Sequence, residues 1–260
     1  MSEQLRAVFS HEFKQDIWEV LPYGNKLLIT LRDRENLQVT FSLFDLEKLT
    51  FQWQSISFDE AWWISVYDFQ DDVIVFQTYD DTQNIEARSV FGFDINSLEA
   101  LWSIEDVRLN KAANGLLSVS SLETEDDGFL IDLKTGEEVS KDGHGEPKND
   151  KEVNCKFPIH YETDSPHFET ISRFVKSKLE IEIYGSCDYL EMPNFFALAL
   201  NTKTETGYNL DFFVFNHDGA VLLNKTLDRD LKGLASGTFF IVGQALIFVE
   251  GKRNLVFYSF

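Results

Sequence analysis

Alternation of apolar and polar residues predicts strands along most of the chain. Leu37, Val39, Phe41 and Leu43 alternate with polar residues, which is the period-two pattern of a strand with one buried face. Other segments of four residues are apolar on both faces and are bounded by turn residues. These segments span residues 73–76, 212–215, 239–242 and 246–249. Their length favours strands packed between sheets over buried helices.

A short pattern recurs in which a strand ends at an Asp or Asn, a tight turn follows, and a second strand begins. Its copies lie at 44–53, 93–102, 131–139 and 215–223. A recurrence of about 40–50 residues with four strands in each copy is typical of β-propellers. A ring of such sheets buries the faces that one sheet alone would leave exposed.

The predicted fold class is therefore all-β, a single β-propeller domain over residues 1–260. About five four-stranded blades are expected. They span residues 16–57, 61–105, 107–140, 180–228 and 231–260. The last of these contains only three strand signals, so the N-terminal segment 5–13 is predicted to supply its fourth strand and to close the ring.

The stretch 141–179 interrupts this pattern and is predicted to be a loop-plus-helix insertion. Residues 143–150 are polar and rich in Gly, Pro and Asn, as in a loop. Ser165 followed by Pro166 has the pattern of a helix N-cap with proline at the first helical position. Apolar residues then recur at helical spacing, which predicts an amphipathic helix over 166–178.

The chain is strongly acidic and carries few cysteines. It has 23 Lys and Arg against 44 Asp and Glu, a formal net charge of −21. Such a charge repels phosphate backbones and anionic lipid, so neither nucleic acid nor a membrane surface is an expected partner. Cys155 and Cys187 lack zinc-motif spacing, and no signal peptide or long apolar run is visible. The expected location is cytoplasmic, with reduced thiols.

The strand–Asp–turn–Trp pattern, clearest at Phe93-Asp94-Ile95 and Leu101-Trp102, resembles the repeats of quinoprotein-like (PQQ-like) and WD40-like β-propellers. Quinoprotein dehydrogenases are larger rings that hold a cofactor in the channel. This chain is shorter and has no adjacent cysteine pair, so no cofactor is expected. As a whole it resembles an uncharacterised bacterial family of unknown function, which implies no activity. That resemblance lies in residues 62–63, 158–161, 189–191 and 238–240.

Trp62 and Trp63 are candidate ligand-binding residues at the start of a predicted blade. Adjacent strand residues point to opposite faces, so one tryptophan is expected in the core and the other near the end of the ring. An exposed tryptophan there would form an aromatic platform for a sugar or a peptide. The alternative, that both pack between blades, agrees with the high average burial of tryptophan and is favoured.

Residues 160–167 hold the densest cluster of potential metal ligands, His160, Glu162, Asp164 and His167. Their spacing matches no established metal motif, so a surface loop entering a helix is favoured over a metal site. His160 and Tyr161 are kept as candidate ligand-binding residues. Acidic clusters at 71–72, 80–81 and 125–127 lack the glycine and the spaced ligands of a calcium loop and are interpreted as solvated turns.

No nucleophile elbow, P-loop or other catalytic motif is present. The sequence therefore favours a non-catalytic binding or scaffold propeller with a protein or peptide partner, and it predicts no oligomeric state. The alternative is a carbohydrate-active enzyme with paired carboxylates in the central channel, since such carboxylates converge in space without a sequence motif. Glu191, the last candidate ligand-binding residue, is of the type that this reaction would use.

Overall fold

A computed structural model of the protein describes residues 5–79, 88–122, 128–140 and 154–260. Within these ranges most of the chain forms strands, with one helix, and the predicted all-β class is confirmed. In chain order the elements are β1 (Arg6–Glu12), β2 (Asp16–Tyr23), β3 (Lys26–Asp33), β4 (Gln38–Asp45), β5 (Thr50–Ile56), β6 (Ile64–Gln70), β7 (Val73–Thr78), β8 (Arg88–Asp94), β9 (Ala100–Ala113), β10 (Leu116–Ser121), β11 (Gly128–Asp132), β12 (Glu138–Val139), β13 (Cys155–Lys156), β14 (Ile159–Glu162), α1 (Pro166–Leu179), β15 (Ser186–Glu191), β16 (Phe195–Lys203), β17 (Tyr208–Asn216), β18 (Val221–Leu231), β19 (Phe239–Val242), β20 (Ala245–Glu250) and β21 (Asn254–Ser259).

The chain divides into two compact units. Unit 1 comprises the described residues of Met1–Asn25, Leu46–Thr50 and Val153–Phe260, and unit 2 those of Lys26–Asp45 and Phe51–Glu152. That both belong to one propeller domain stays a prediction. No helix within the described ranges is long and apolar enough to cross a membrane.

The first sheet of unit 1 joins the two ends of the chain. Its strand order is β1-β21-β20-β19-β13. Strand β1 pairs antiparallel with β21, from Arg6 opposite Ser259 to Glu12 opposite Asn254. The predicted pairing of the N-terminal strand with the final segment is confirmed, whereas closure of a ring stays a prediction. Strand β13 adds a fifth strand beside β19 that the sequence pattern did not predict.

The second sheet of unit 1 has the order β14-β15-β16-β17-β18 and carries α1 on one face. The helix begins as predicted, because Ser165 Oγ accepts a hydrogen bond from the backbone N–H of His167 and Pro166 follows the cap. Its apolar side packs on the sheet, with the ring of Phe174 5.2 Å from that of Phe215 and 5.5 Å from that of Phe196.

The predicted insertion at 141–179 is only partly separate from the sheets. Strands β13 and β14 lie inside it and pair with β19 and β15. The sequence pattern did not give these pairings, because segments of two and four residues are too short to show a periodic pattern, and their pairing depends on distant partners. The predicted loop at 143–150 lies outside the described residues.

Strands β6 to β12 of unit 2 form one seven-stranded sheet. The fourteen-residue strand β9 pairs with β8 as far as Val107 and with β10 from Val107 onward. The predicted blades 61–105 and 107–140 are therefore joined. No turn separates them, and Asp106, with a positive φ of +53°, lies inside the continuous strand. The described residues form four sheets where five four-stranded blades were predicted.

Two copies of the recurring pattern make equivalent contacts within unit 2. Trp53 donates its indole N–H to the carbonyl oxygen of Ile95 at 3.1 Å, and Trp102 donates to that of Leu133 at 2.7 Å. Each acceptor directly follows the Asp of the next copy. Each tryptophan therefore links the second strand of one copy to the turn of the following copy.

The aspartates of these copies organise the turns. Asp94 Oδ1 accepts hydrogen bonds from the backbone N–H groups of Asn96 and Ser97, at 2.9 and 2.6 Å. In the same way, Asp132 Oδ1 accepts hydrogen bonds from the backbone N–H groups of Lys134 and Thr135. An Asp side chain that accepts from the following backbone mimics a backbone turn. The recurring Asp thus has a structural role.

Aromatic side chains fill the space between the two sheets of unit 1. The ring of Phe212 lies 4.9 Å from that of Phe239 and 5.1 Å from that of Phe248. All three are fully buried. Strands that are apolar on both faces therefore lie where sheets pack face to face, as their sequence predicts.

Candidate ligand-binding site

Trp62 and Trp63 lie in a short turn that leads into β6. The Glu60 carboxylate fixes this turn, since its Oε1 accepts hydrogen bonds from the backbone N–H groups of Trp62 and Trp63, at 2.9 and 2.7 Å. The carbonyl oxygen of Trp63 accepts from the backbone N–H of Tyr79 at 3.2 Å. The tryptophans are therefore held at one end of the β6–β7 pair.

A cavity of about 520 Å³ opens beside these tryptophans. This volume is within the range of about 300–1,000 Å³ that is usual for ligand pockets. We call it the aromatic–arginine pocket, and all of its lining residues belong to unit 2. They are Arg32, Trp62, Trp63, Ile64, Ser65, Tyr79 and Arg88.

Each arginine of the aromatic–arginine pocket lies over an aromatic ring. The guanidinium carbon of Arg32 is 5.3 Å from the ring centroid of Trp62, and that of Arg88 is 5.2 Å from the ring centroid of Tyr79. These are cation–π distances. Arg88 also donates a hydrogen bond to Oε1 of Gln77, which helps to orient its guanidinium group.

Both tryptophans line the same pocket, which differs from the predicted arrangement on opposite faces. Trp63 is 51% exposed, and Trp62 is half-buried beneath Arg32. The alternation of a strand does not apply to them because β6 begins only at Ile64. Neither tryptophan is part of the fully buried core, so the packing interpretation does not describe Trp63.

Among the lining residues that sequence reasoning missed are both arginines and the tyrosine, Arg32, Tyr79 and Arg88. They come from β3, from the residue after β7 and from the first position of β8. The pairing of Ile64 with Thr78 and of Thr78 with Ser89 brings the last two beside the tryptophans. The proximity of these residues to the tryptophans follows from the strand register, and no local sequence motif indicates it.

The other predicted site residues, His160, Tyr161 and Glu191, belong to unit 1. His160 Nδ1 lies 2.6 Å from Oδ1 of Asp188, a cross-strand neighbour that is only 2% exposed. Oδ2 of Asp188 accepts from the backbone N–H of Gly237, also at 2.6 Å. The buried carboxylate thus ties three segments together, and this structural role accounts for His160.

Tyr161 and Glu191 lie around a second tyrosine. The ring of Tyr161 is 5.3 Å from that of His167 and 6.4 Å from that of Tyr189. Tyr189 donates its hydroxyl proton to Oε2 of Glu191 at 2.9 Å. Burial, followed by this hydrogen bond, raises the pKa of Tyr189 well above its ordinary value. The arrangement keeps the phenol protonated.

The acidic clusters and metal-ligand candidates named from the sequence form no metal site within the described residues. In the described ranges, no group of three or more His, Cys, Asp or Glu side chains is arranged to hold a metal ion. Asp72, in the first predicted acidic turn, accepts from Lys26 Nζ at 2.5 Å. The acidic segments 80–81 and 125–127 lie outside the described residues.

A second cavity, of about 480 Å³, lies within unit 1. Its lining includes the exposed rings of Trp18 and Phe157, and Phe240 packs beside Phe157 at 5.7 Å. Charged residues at this cavity include Asp228 and Lys252, whose carboxylate and ammonium groups are 3.9 Å apart. Its walls are otherwise largely apolar.

Residues 22–102 match a family model described as a domain of unknown function (DUF4905). The matched stretch includes Trp62 and Trp63, together with Arg32 and Tyr79. No curated protein matches the chain.

Several solved structures are similar to the chain at low identity. BamB from Moraxella catarrhalis shares 11% identity at a TM-score of 0.39, with 98% of this chain and 100% of that chain covered. A member of the DUF4221 family from Bacteroides vulgatus shares 9% at 0.36, with 100% and 98% covered. The β-propeller domain of the trilobed protease from Pyrococcus furiosus shares 13% at 0.32, with 98% and 81% covered. These similarities assign no activity, ligand or partner to this chain.

Proposed function

We propose that the chain is a non-catalytic β-propeller binding module whose aromatic–arginine pocket receives a peptide segment of a protein partner. The propeller part of the proposal is supported by the recurring strand–Asp–turn pattern and by the equivalent contacts of Trp53 and Trp102. A number of blades is not part of the proposal, because β9 runs through one predicted boundary.

The main observation that supports a binding role is the residue composition of the pocket. Tryptophan, tyrosine and arginine are the residue types most enriched where binding energy concentrates in protein–protein interfaces. Here Trp63 is half-exposed, and Trp62 and Tyr79 each lie beneath a guanidinium group. A rigid aromatic surface loses little side-chain entropy when a ligand covers it. The carbohydrate-active alternative stays a prediction.

A displayed library of short random peptides tests this proposal. The immobilised wild-type protein should enrich peptides that bind in solution as synthetic copies. Trp63→Ala should weaken their binding at least about tenfold, which corresponds to about 1.4 kcal/mol. Circular dichroism of each variant verifies that the fold is retained.

Trp18→Ala is the matched control. Trp18 is 55% exposed, close to the 51% of Trp63, but it lies in unit 1. Peptides enriched on the wild type should bind this variant unchanged. Equal binding to wild type and Trp63→Ala, or a library without any enriched peptide, would contradict the proposal.

A further inference from the structure

The second cavity carries more negative than positive charge. All of its described lining residues belong to unit 1, and we call it the unit 1 cavity. The charged side chains among these residues are those of Glu19, Asp228 and Lys252. Two carboxylates against one ammonium group, in a chain whose net charge is −21, favour a cationic ligand over an anionic one.

One carboxylate oxygen of Asp228 has no hydrogen bond. Oδ1 accepts from the backbone N–H of Arg229 at 2.8 Å, whereas Oδ2 lies 3.9 Å from Nζ of Lys252, beyond hydrogen-bond distance. Within the described residues Oδ2 accepts from no other group, and the side chain of Arg229 neither lines the cavity nor forms an ion pair with Asp228. The Asp228 side chain is 23% exposed, so it is partly shielded from water and accessible to a ligand in the cavity.

Lys252 is a weak competitor for this carboxylate. Its side chain is 58% exposed, and an exposed ion pair at such a separation contributes little to stability. A ligand ammonium that donates directly to Oδ2 of Asp228 would form a shorter, charge-assisted hydrogen bond. Because the lysine side chain is flexible, it can turn into solvent when such a ligand binds.

Aromatic rings adjoin these charges in the same cavity. The rings of Trp18 and Phe157 are both more than half exposed, and the buried ring of Phe240 lies 5.7 Å from that of Phe157. An aromatic face packs against apolar groups and also attracts a cation that lies over it. The cavity therefore offers a carboxylate and an apolar surface together.

Buried polar side chains hold one wall of the cavity in place. Residues 235–238 line the cavity without regular secondary structure. The buried Asn201 donates from its side-chain amide to the carbonyl oxygen of Ala235 and accepts from the backbone N–H of the same residue, both at 3.0 Å. The buried Asp188 accepts from the backbone N–H of Gly237 at 2.6 Å. A wall that is ordered in advance reduces the free-energy cost of binding.

We propose that the unit 1 cavity binds a small organic ammonium ion, whose charged group pairs with Asp228 and whose apolar body packs against Trp18 and Phe157. The cavity shares no lining residue with the aromatic–arginine pocket, and the inference does not rest on the peptide-binding role. The volume of about 480 Å³ suits a small molecule. An anion of the same shape would be repelled by the Asp228 carboxylate.

Three phenyl compounds that differ in charge provide the probe. They are 2-phenylethylamine, 2-phenylethanol and phenylacetate, titrated at pH 7 and followed by the NMR chemical shifts of the protein. The amine should bind at least about fivefold more tightly than the alcohol, because only the amine forms a charge-assisted hydrogen bond, and phenylacetate should bind least. Added salt should weaken binding of the amine and leave that of the alcohol nearly unchanged.

Two substitutions in the cavity should have opposite effects on the amine. Asp228→Asn should weaken its binding at least about fivefold, because the charge is lost and the shape is kept. The alcohol should bind this variant as before, which also shows that the variant is folded. Lys252→Gln should strengthen amine binding about twofold to threefold, because it removes the competing ammonium group. Glu169→Gln removes a helix carboxylate of unit 1 that is 76% exposed, and this control should change neither affinity.

Each outcome decides one part of the inference. Equal binding of the amine and the alcohol overturns the preference for an ammonium ion. Equal amine binding by wild type and Asp228→Asn overturns the assignment to Asp228, and equal binding by wild type and Trp18→Ala overturns the aromatic contact. Failure of all three compounds to bind overturns the site as a whole. The peptide proposal is tested separately by Trp63→Ala, which should bind the amine like the wild type.

Discussion

Trp102 donates its indole N–H to the carbonyl oxygen of Leu133 at 2.7 Å, across the turn of the next copy of the recurring pattern. Its ring is also enclosed by two glycines. A Cβ atom added to Gly92 would lie 2.5 Å from the indole, and one added to Gly136 would lie 2.4 Å from the side chain. The position of Trp102 therefore depends on its hydrogen bond to Leu133 and on the absence of a side chain at Gly92 and Gly136.

We expect Trp102→Phe to lower the free energy of unfolding by about 1–3 kcal/mol, because the substitution removes the donor to Leu133 and leaves a gap in the packing. Urea denaturation of wild type and variant measures this difference. Trp63→Phe is the matched control and should change stability by less than about 0.5 kcal/mol, since Trp63 is half-exposed. Equal effects at the two positions would contradict the structural role of Trp102.

Gly92→Ala should destabilise unit 2 by about 1–3 kcal/mol, because the new methyl group would overlap the Trp102 ring. Gly233→Ala is the control, as a Cβ there meets nothing within 4 Å. Combining Gly92→Ala with Trp102→Leu should cost less than the sum of the single changes, because the clash and the cavity partly cancel. Strict additivity in denaturation experiments would argue against the contact.

Features specified by local sequence could be predicted. Helix α1 begins at its predicted cap because Ser165 and Pro166 supply the required groups within adjacent residues. The pairing of β1 with β21 could be predicted because the C-terminal segment contains only three strand signals, one fewer than a four-stranded blade needs. The importance of Trp62 and Trp63 could be anticipated from their residue type, although their exposure could not.

Features that depend on register could not be predicted from one sequence. Arg88 reaches the pocket because β8 pairs with β7 at a particular offset, and Arg32 comes from a strand in another sheet. The continuity of β9 depends on Val107, which pairs with residues on both neighbouring strands. A shift of one residue in a strand would turn each side chain to the opposite face.

Asp68 and Asp94 should affect stability with opposite dependence on pH. Burial raises the pKa of Asp68, although hydrogen bonds from Gln70 and Phe69 oppose the shift. A raised pKa means that the folded state disfavours the ionised carboxylate. The wild type should therefore lose stability relative to Asp68→Asn as pH rises from below 3.8, the ordinary value, and the difference should level off above the folded pKa.

Asp94 provides the contrast. The backbone N–H of Ser97, with a smaller contribution from Asn96, lowers the pKa of Asp94 below 3.8. Its stabilising effect is present above that value and is lost as pH falls through the folded pKa. As pH rises from the folded pKa of Asp94 to 3.8, the wild type should therefore gain stability relative to Asp94→Asn, and its loss of stability relative to Asp68→Asn should follow above 3.8. Denaturation at several pH values measures both slopes, and slopes of the same sign would contradict the assignment.

The two cysteines should be unreactive in the folded protein. Both are free, and burial raises the pKa of Cys155 to about 11 and that of Cys187, which also adjoins Asp188, to about 12. Because the thiolate is the nucleophile, Cys187 at pH 8 should hold about a thousandfold less of it than an ordinary thiol. Thiol labelling should modify neither cysteine quickly in buffer and both in denaturant. Cys155→Ser and Cys187→Ser assign each signal, and rapid native labelling at Cys187 would show that the thiol is accessible and contradict its burial.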